Sequence, residues 1–340
     1  MVVRAAGRLR STVALLAVTA LVTTGAPAAA HAAEAGAPAS SSEQGYPLPG
    51  LVRGDVLVHD PSMVRTPEGY LLYSTHNGIE VRSSSNRIDF DRVGPALAEV
   101  PAWVDDYNDV RGVWAPDVSH HRGTYWMYYT ASSFGSNHSA IGLATSPTGR
   151  PGTFTDQGIV ISSTDGDDFN AIDPSLLVTS DGSWWLSLGS FWTGIRMIRL
   201  DPETGHRHPT DRTLHHLATR PDAPHAVEAP HILERNGYYY LFVSHDHCCS
   251  GVDSTYRVMV GRSTSPTGPY VDRDGVRMLD GGGTEVLSTH GTIIGPGGQS
   301  VLSDVDGDLL VYHYYDGADH GRHKLGVNLL DWSGGWPSVH

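Results

Sequence analysis

The chain has 340 residues, enough for one large domain or two ordinary ones. Its 37 acids outnumber 23 Lys and Arg, and the resulting charge of −14 argues against partners such as nucleic acid or an anionic membrane. A neutral polysaccharide suits it better, and 39 Gly, 15 Tyr and 8 Trp fit a turn-rich β-protein whose aromatics can stack on sugars.

Taken in chain order, residues 1–32 read as a secretory signal peptide. Arg4, Arg8 and Arg10 precede a short apolar run from Val13 to Val22, and Ala28-Ala29-Ala30-His31-Ala32 offers A-x-A cleavage sites. The run is too short to anchor in a bilayer, so the mature protein is expected to be secreted. Cleavage removes three Arg and no acid, taking the charge to −17. Residues 33–49, rich in Ala, Ser and Gly up to Gln44, read as a disordered linker. Residues 50–340 read as one catalytic domain, expected to be a monomer.

That domain repeats one grammar five times: HDPSMVRTPEGYLLYST, WAPDVSHHRGTYWMYYTAS, AIDPSLLVTSDGSWWLSLGS, VEAPHILERNGYYYLFVSHD and IGPGGQSVLSDVDGDLLVYHYYD. The anchoring prolines Pro61, Pro116, Pro174, Pro230 and Pro296 lie 55, 58, 56 and 66 residues apart. Each unit carries a hairpin pair such as Asn236-Gly237, flanked by short runs rich in Val, Ile, Tyr and Trp. No segment after the leader has the period of an amphipathic helix. About four strands per unit and five units give an all-β fold, a five-bladed β-propeller; a β-sandwich would not repeat one motif at near-constant spacing. Residues 50–60, or the end near Trp332 and Trp336, are expected to supply the closing strand.

In a propeller the inner strands all begin at one mouth of the central channel, so residues beside the repeated prolines converge there. Three acids occupy that point: Asp60, Asp173 and Glu228. Two working carboxylates with a third that raises a partner's pKa by like-charge repulsion is the equipment of glycosidic-bond hydrolysis. Asp117, one residue past its proline, reads as structural.

The sequence resembles the arabinanases of glycoside hydrolase family 43 from Gly54 to Pro337. The matching stretches are His59-Asp60-Pro61, WAPD at 114–117, FGSNHSAIGLA at 134–144, NAIDP at 170–174, LGSFWTGI at 188–195, EAPHI at 228–232, HDHCCSGVDSTY at 245–256, VGRS at 260–263 and HYYD at 313–316. The resemblance implies inverting hydrolysis of α-1,5-linked L-arabinofuranose chains, with Asp60 as general base, Glu228 as general acid and Asp173 as the residue that raises and orients that acid. It implies that Asn170 and Ser190 line the central sugar site and that Trp114 and Phe134 face the substrate cleft. It also implies a calcium ion in the central channel, held by a His of a GPGH segment. Here that segment ends in Gly298, so the ion is absent, replaced by water, or held by another residue such as His290 or His313. No organic cofactor is implied.

An exo-acting α-L-arabinofuranosidase or β-xylosidase of the same fold, and a non-catalytic sugar-binding propeller, are the competing readings. His245, His247, Cys248 and Cys249 are too compactly spaced for a structural zinc site. DVDGD at 304–308 lacks the acid that a calcium loop needs at its twelfth position, where Tyr315 stands. Cys248 and Cys249 are adjacent, which leaves open a vicinal disulfide or a pair of thiols. No G-x-S-x-G elbow supports esterase chemistry.

Overall fold

Hairpins between consecutive short strands dominate the computed structural model, which describes residues 45–340; the signal peptide read at 1–32 and the linker from 33 to 44 lie outside the described residues. Five sheets follow one another along the chain, each built from consecutive strands; four are antiparallel, and the first adds the short strand Arg53–Gly54, which pairs in parallel with Asp89–Pro95. Their inner strands are Ser62–Thr66, Trp114–His121, Ser175–Val178, Val227–Arg235 and Ile293–Asp304. The protein is a five-bladed β-propeller, and among the described residues its helices are three short 3₁₀ turns.

The hairpins form where the sequence supplies residues that accept positive φ. Asn236 (φ 51°) and Gly237 (φ 78°) form a pair with both central residues left-handed, which matches the twist of the strands they join. Gly69 (φ 136°) is required for a second reason: a Cβ there would stand 2.3 Å from the Ser84 carbonyl oxygen.

The core is five inter-blade layers rather than one centre. Successive strand residues face opposite ways, so Tyr125, Met127 and Tyr129 pack with Val64, Leu71 and Tyr73 of the first blade. Trp126 and Tyr128 pack with Trp184 and Leu186 of the third. Both faces of each sheet are buried, which is why the second strands read as near-continuous apolar runs. The fifth layer, with Met63, Leu72, Leu309 and Val311, joins the last blade to the first and closes the ring.

Closure uses both ends proposed from the sequence. Gly50 N–H donates to the Val327 carbonyl (2.8 Å) and Leu325 N–H to that of Val56 (2.9 Å), while Arg53 N–H donates to Ile88 (2.7 Å) and Asp55 N–H to Phe90 (2.8 Å). Residues 50–56 thus lie between the fifth and first blades, and Ser338–Val339 completes the outer edge of the fifth. One boundary needs correction. Residues 45–49, assigned to the linker, are tied to the propeller: Tyr46 Oη donates to Glu285 Oε1 (2.7 Å) and Asn328 Nδ2 to the Leu48 carbonyl (3.2 Å).

Candidate active site

The five inner segments share the same backbone bend, just before the strand or within its first half. Asp60, Ala115, Asp173, Ala229 and Gly298 have φ of 49°, 42°, 55°, 51° and 56°. Two residues further on, Ser62, Asp117, Ser175, His231 and Ser300 pair with Tyr73, Tyr128, Ser187, Phe242 and Val311 of the second strands. These segments line one central cavity.

This register corrects the sequence phase in two places. Asp60 and Asp173 are equivalent, but Glu228 stands one residue before its blade's equivalent, Ala229, and shares its position with Trp114. In the fifth blade the equivalent residue is Gly298, with Gln299 where the other blades have proline; Pro296 lies three residues early. The cause is irregular pairing: the ladder shifts between Trp114 and Asp117, between Glu228 and His231, and twice between Ile294 and Ser300.

Asp60 Oδ2 accepts hydrogen bonds from His59 Nδ1 (2.9 Å) and Thr75 Oγ1 (2.6 Å), and Asp60 N–H donates to His313 Nδ1 (3.2 Å). Burial works against its charge, but His59, His313 and the Thr75 hydroxyl outweigh it and hold the carboxyl below the usual range. Glu228 is buried. Its Oε2 accepts from Ser190 Oγ (2.5 Å) and its Oε1 from Tyr256 Oη. Burial pushes its pKa up, Ser190 and Tyr256 pull it down, and Asp60 adds to the rise, so the net direction is upward. Asp173 Oδ2 accepts the Ala229 N–H (3.0 Å), and burial followed by Glu228 and Asp60 raises it well above the carboxylate range. One carboxyl held below the usual range and two pushed above it can divide base and acid work between them.

Asn170 is buried, with Oδ1 accepting from Ser139 Oγ (2.7 Å) and Nδ2 donating to the Ser136 carbonyl (3.2 Å). Phe134, on the turn before Ser139–Ser146, is 86 % exposed, which removes core packing as its explanation. Trp114 is half-buried at the head of its strand. Three partners of the acids, His59, Thr75 and Tyr256, escaped the sequence reading, as did Tyr315 behind His59. His59, Tyr256 and Tyr315 stand inside stretches that carried the family resemblance, which was the available signal. Thr75 had none.

The two cysteines form a disulfide, so neither offers a thiolate to a metal. His290 is not at the channel: its Nε2 lies 3.2 Å from the Pro47 carbonyl and its ring packs against Tyr46. His313 is fully buried beside Asp60, and its ring is stacked on His59 at 3.7 Å. At Gly298, the position where the resemblance implies a calcium-holding His, a Cβ would stand 2.6 Å from His313 Cε1 and 2.8 Å from Asp60 Oδ1. His313 already fills the space that a side chain at 298 would need. Calcium takes six to eight oxygens. Several nearby oxygens already accept hydrogen bonds: Gln299 Oε1 from Ser244, Asp117 Oδ2 from Leu176 N–H and Asp60 Oδ2 from two donors. The ligand atoms of His59, Asp60 and His313 lie within 4.8 Å of one another, but two imidazoles and one carboxylate are a poor calcium set. The residues do not fit that ion.

The glycosyl hydrolases family 43 model matches residues 54–337. The chain belongs to glycosyl hydrolase family 43. Within the family it is 44 % identical over 288 residues to the extracellular endo-α-(1→5)-L-arabinanase 1 of Bacillus subtilis, covering 83 % of this chain and 87 % of that protein. It is 37 % identical over 299 residues to the extracellular exo-α-(1→5)-L-arabinofuranosidase ArbA of Cellvibrio japonicus, covering 83 % and 86 %. The solved structure of a family 43 endo-arabinanase from Bacillus licheniformis superposes with a TM-score of 0.80 at 44 % identity, covering 85 % of this chain and 99 % of that one. The family 43 propeller therefore accounts for both the repeat and the ring of bends.

Proposed function

We propose that this protein is an arabinan endo-1,5-α-L-arabinosidase that hydrolyses its substrate with inversion. The observation that carries the reading is the unequal treatment of two carboxyls at one channel mouth: His59, His313 and Thr75 hold Asp60 below the usual carboxylate range, while burial pushes Glu228 up. Asp60 draws a proton from water as that water attacks the anomeric carbon. Glu228 gives its proton to the departing sugar oxygen. Asp173 keeps the acid protonated and, through the Ala229 N–H, holds the backbone next to it. Ser190 orients Glu228 and Asn170 faces the central sugar, while Trp114 and Phe134 flank the chain. Linear arabinan is the substrate supported by the relatives named above, and the more similar of the two curated ones is endo-acting.

The protein acts as a secreted monomer; the N-terminal leader and the extracellular relatives support secretion. Product analysis on linear and branched arabinan tests the reading. A ladder of oligosaccharides is expected; arabinose alone from the outset would favour the exo reading. No release from arabinan, with activity on xylan fragments, would overturn it. Glu228→Gln, assayed beside the unmutated protein, separates an enzyme from a sugar-binding propeller, which has no hydrolysis to lose.

A further inference from the structure

The loop from Asp246 to Tyr256 touches one working carboxyl directly and is linked to the other through two side chains. At its end, Tyr256 Oη donates to Glu228. Near its start, Cys249 N–H donates to Tyr315 Oη (2.7 Å), and Tyr315 Oη lies 3.0 Å from His59 Nε2. His59 Nδ1 in turn lies 2.9 Å from Asp60 Oδ2. A carboxylate only accepts, so His59 carries its hydrogen on Nδ1, and in the neutral ring Nε2 accepts from the Tyr315 hydroxyl. The tyrosine oxygen then accepts from Cys249. With His59 neutral each link has one direction, and the chain starts at a backbone amide.

That amide is an unusual one. Cys248 and Cys249 are joined by a disulfide, so the peptide unit between them is part of an eight-membered ring. The ring includes the Cys249 N–H bond's nitrogen, and the torsions on either side of it cannot vary independently. Cys249 also sits at φ 67°, a left-handed conformation that a side-chained residue seldom holds unaided. Its Sγ lies 3.8 Å from His59 Nε2, against the imidazole edge. The loop behind it is braced by Ser250 N–H donating to Ser254 Oγ (3.0 Å) and Thr255 N–H to the His247 carbonyl (2.8 Å).

We infer that the Cys248–Cys249 disulfide is a positioning element for the base side of the reaction: it aims the Cys249 N–H at Tyr315, which fixes His59 and through it Asp60. This rests on the reading of Asp60 as general base. Opening the ring frees the amide, lets Tyr315 and His59 rotate, and loosens the carboxylate that must face the attacking water. Small errors in such alignment cost rate rather than substrate affinity.

The experiment compares wild-type protein, the same protein reduced with a dithiol under argon (free thiols counted), Cys248→Ser/Cys249→Ser, Tyr315→Phe, and the triple combination. Each is assayed on arabinohexaose and on an aryl arabinotrioside whose leaving group needs no proton. Reduction, the double serine variant and Tyr315→Phe are each expected to lower kcat by about tenfold with KM within about twofold. The loss should be equal on both substrates, because it is not on the acid side. The triple variant should be no slower than Tyr315→Phe, since all act through one chain. Reduced protein and Tyr315→Phe keep the test open if the serine variant fails to fold. Unchanged kcat after reduction, a loss confined to arabinohexaose, or additive losses in the triple variant would each overturn the inference. A wild-type protein that does not hydrolyse arabinohexaose would refute the proposed function itself, a result distinct from all three.

Discussion

Gly298 and His313 compete for one volume: a Cβ on the first would stand 2.6 Å from Cε1 and 2.7 Å from Nδ1 of the second. His313 is fully buried, stacked on His59 and hydrogen-bonded to the Asp60 amide, so it cannot move aside without unpairing the base. Gly298→Ala should therefore destabilise the protein by about 1–3 kcal/mol through overpacking and lower kcat as well. Thermal unfolding alongside kinetics measures both, and a fully stable, fully active variant would contradict the crowding.

The same crowding bears on metal dependence. Protein dialysed against a calcium chelator should keep its Tm within about 1 °C and its kcat within about twofold, with less than about 0.1 metal ion per chain by elemental analysis. Stoichiometric calcium in the purified protein, or a Tm that calcium restores, would show that other donors hold the ion.

The pH profile should respond to the partners of Glu228 in a definite direction. Ser190 and Tyr256 donate hydrogen bonds that favour the ionised form, so they lower a pKa that burial raises. The acid must be protonated, so activity falls as pH rises through its pKa. Tyr256→Phe and Ser190→Ala should each move that alkaline limb to higher pH while the acidic limb, set by Asp60, stays put. A limb that moves to lower pH would remove Glu228 from the role of acid.

Asp117 offers a stability test away from the chemistry. It is buried, its Oδ2 accepts the Leu176 N–H (2.9 Å), and burial raises its pKa to about 7. Its folded-state pKa lies above the unfolded value, so the native protein binds the proton more tightly than the unfolded chain. Stability from this group is fully present below about pH 4 and is lost as pH rises toward 7. Asp117→Asn keeps an acceptor for Leu176 and never ionises. It should raise Tm at pH 8 by roughly 2–6 °C over wild type and change little at pH 4. A variant less stable at pH 8 would contradict the direction.

Much of this was visible in the residues. The repeated hairpin pairs and alternating aromatics specify strands locally, and five copies specify a ring, because each blade can bury its two faces only against neighbours. Asp60 and Asp173 share one backbone bend, so their phase was legible too. Glu228 and Gly298 were misplaced by one and three residues because bulges in the inner strands change register without leaving a residue signature; only hydrogen-bond partners reveal them. The companions of the acids are not their sequence neighbours: Thr75 and Tyr256 come from the same blades as Asp60 and Glu228 but from other strands or loops, and Tyr315, from the fifth blade, reaches Asp60 only through His59. The linker boundary failed for a similar reason, since Tyr46 gains its partner Glu285 only when the ring closes.

The most direct measurement of the central claim is the anomeric configuration of the first product. Proton NMR of arabinohexaose hydrolysis, recorded within the first turnovers, should show the β-anomer of the new reducing end before mutarotation, with Asp60→Asn and Glu228→Gln each slower by about 10²–10⁴-fold. The α-anomer appearing first, or either variant retaining wild-type rate, would contradict an inverting reaction run by Asp60 and Glu228.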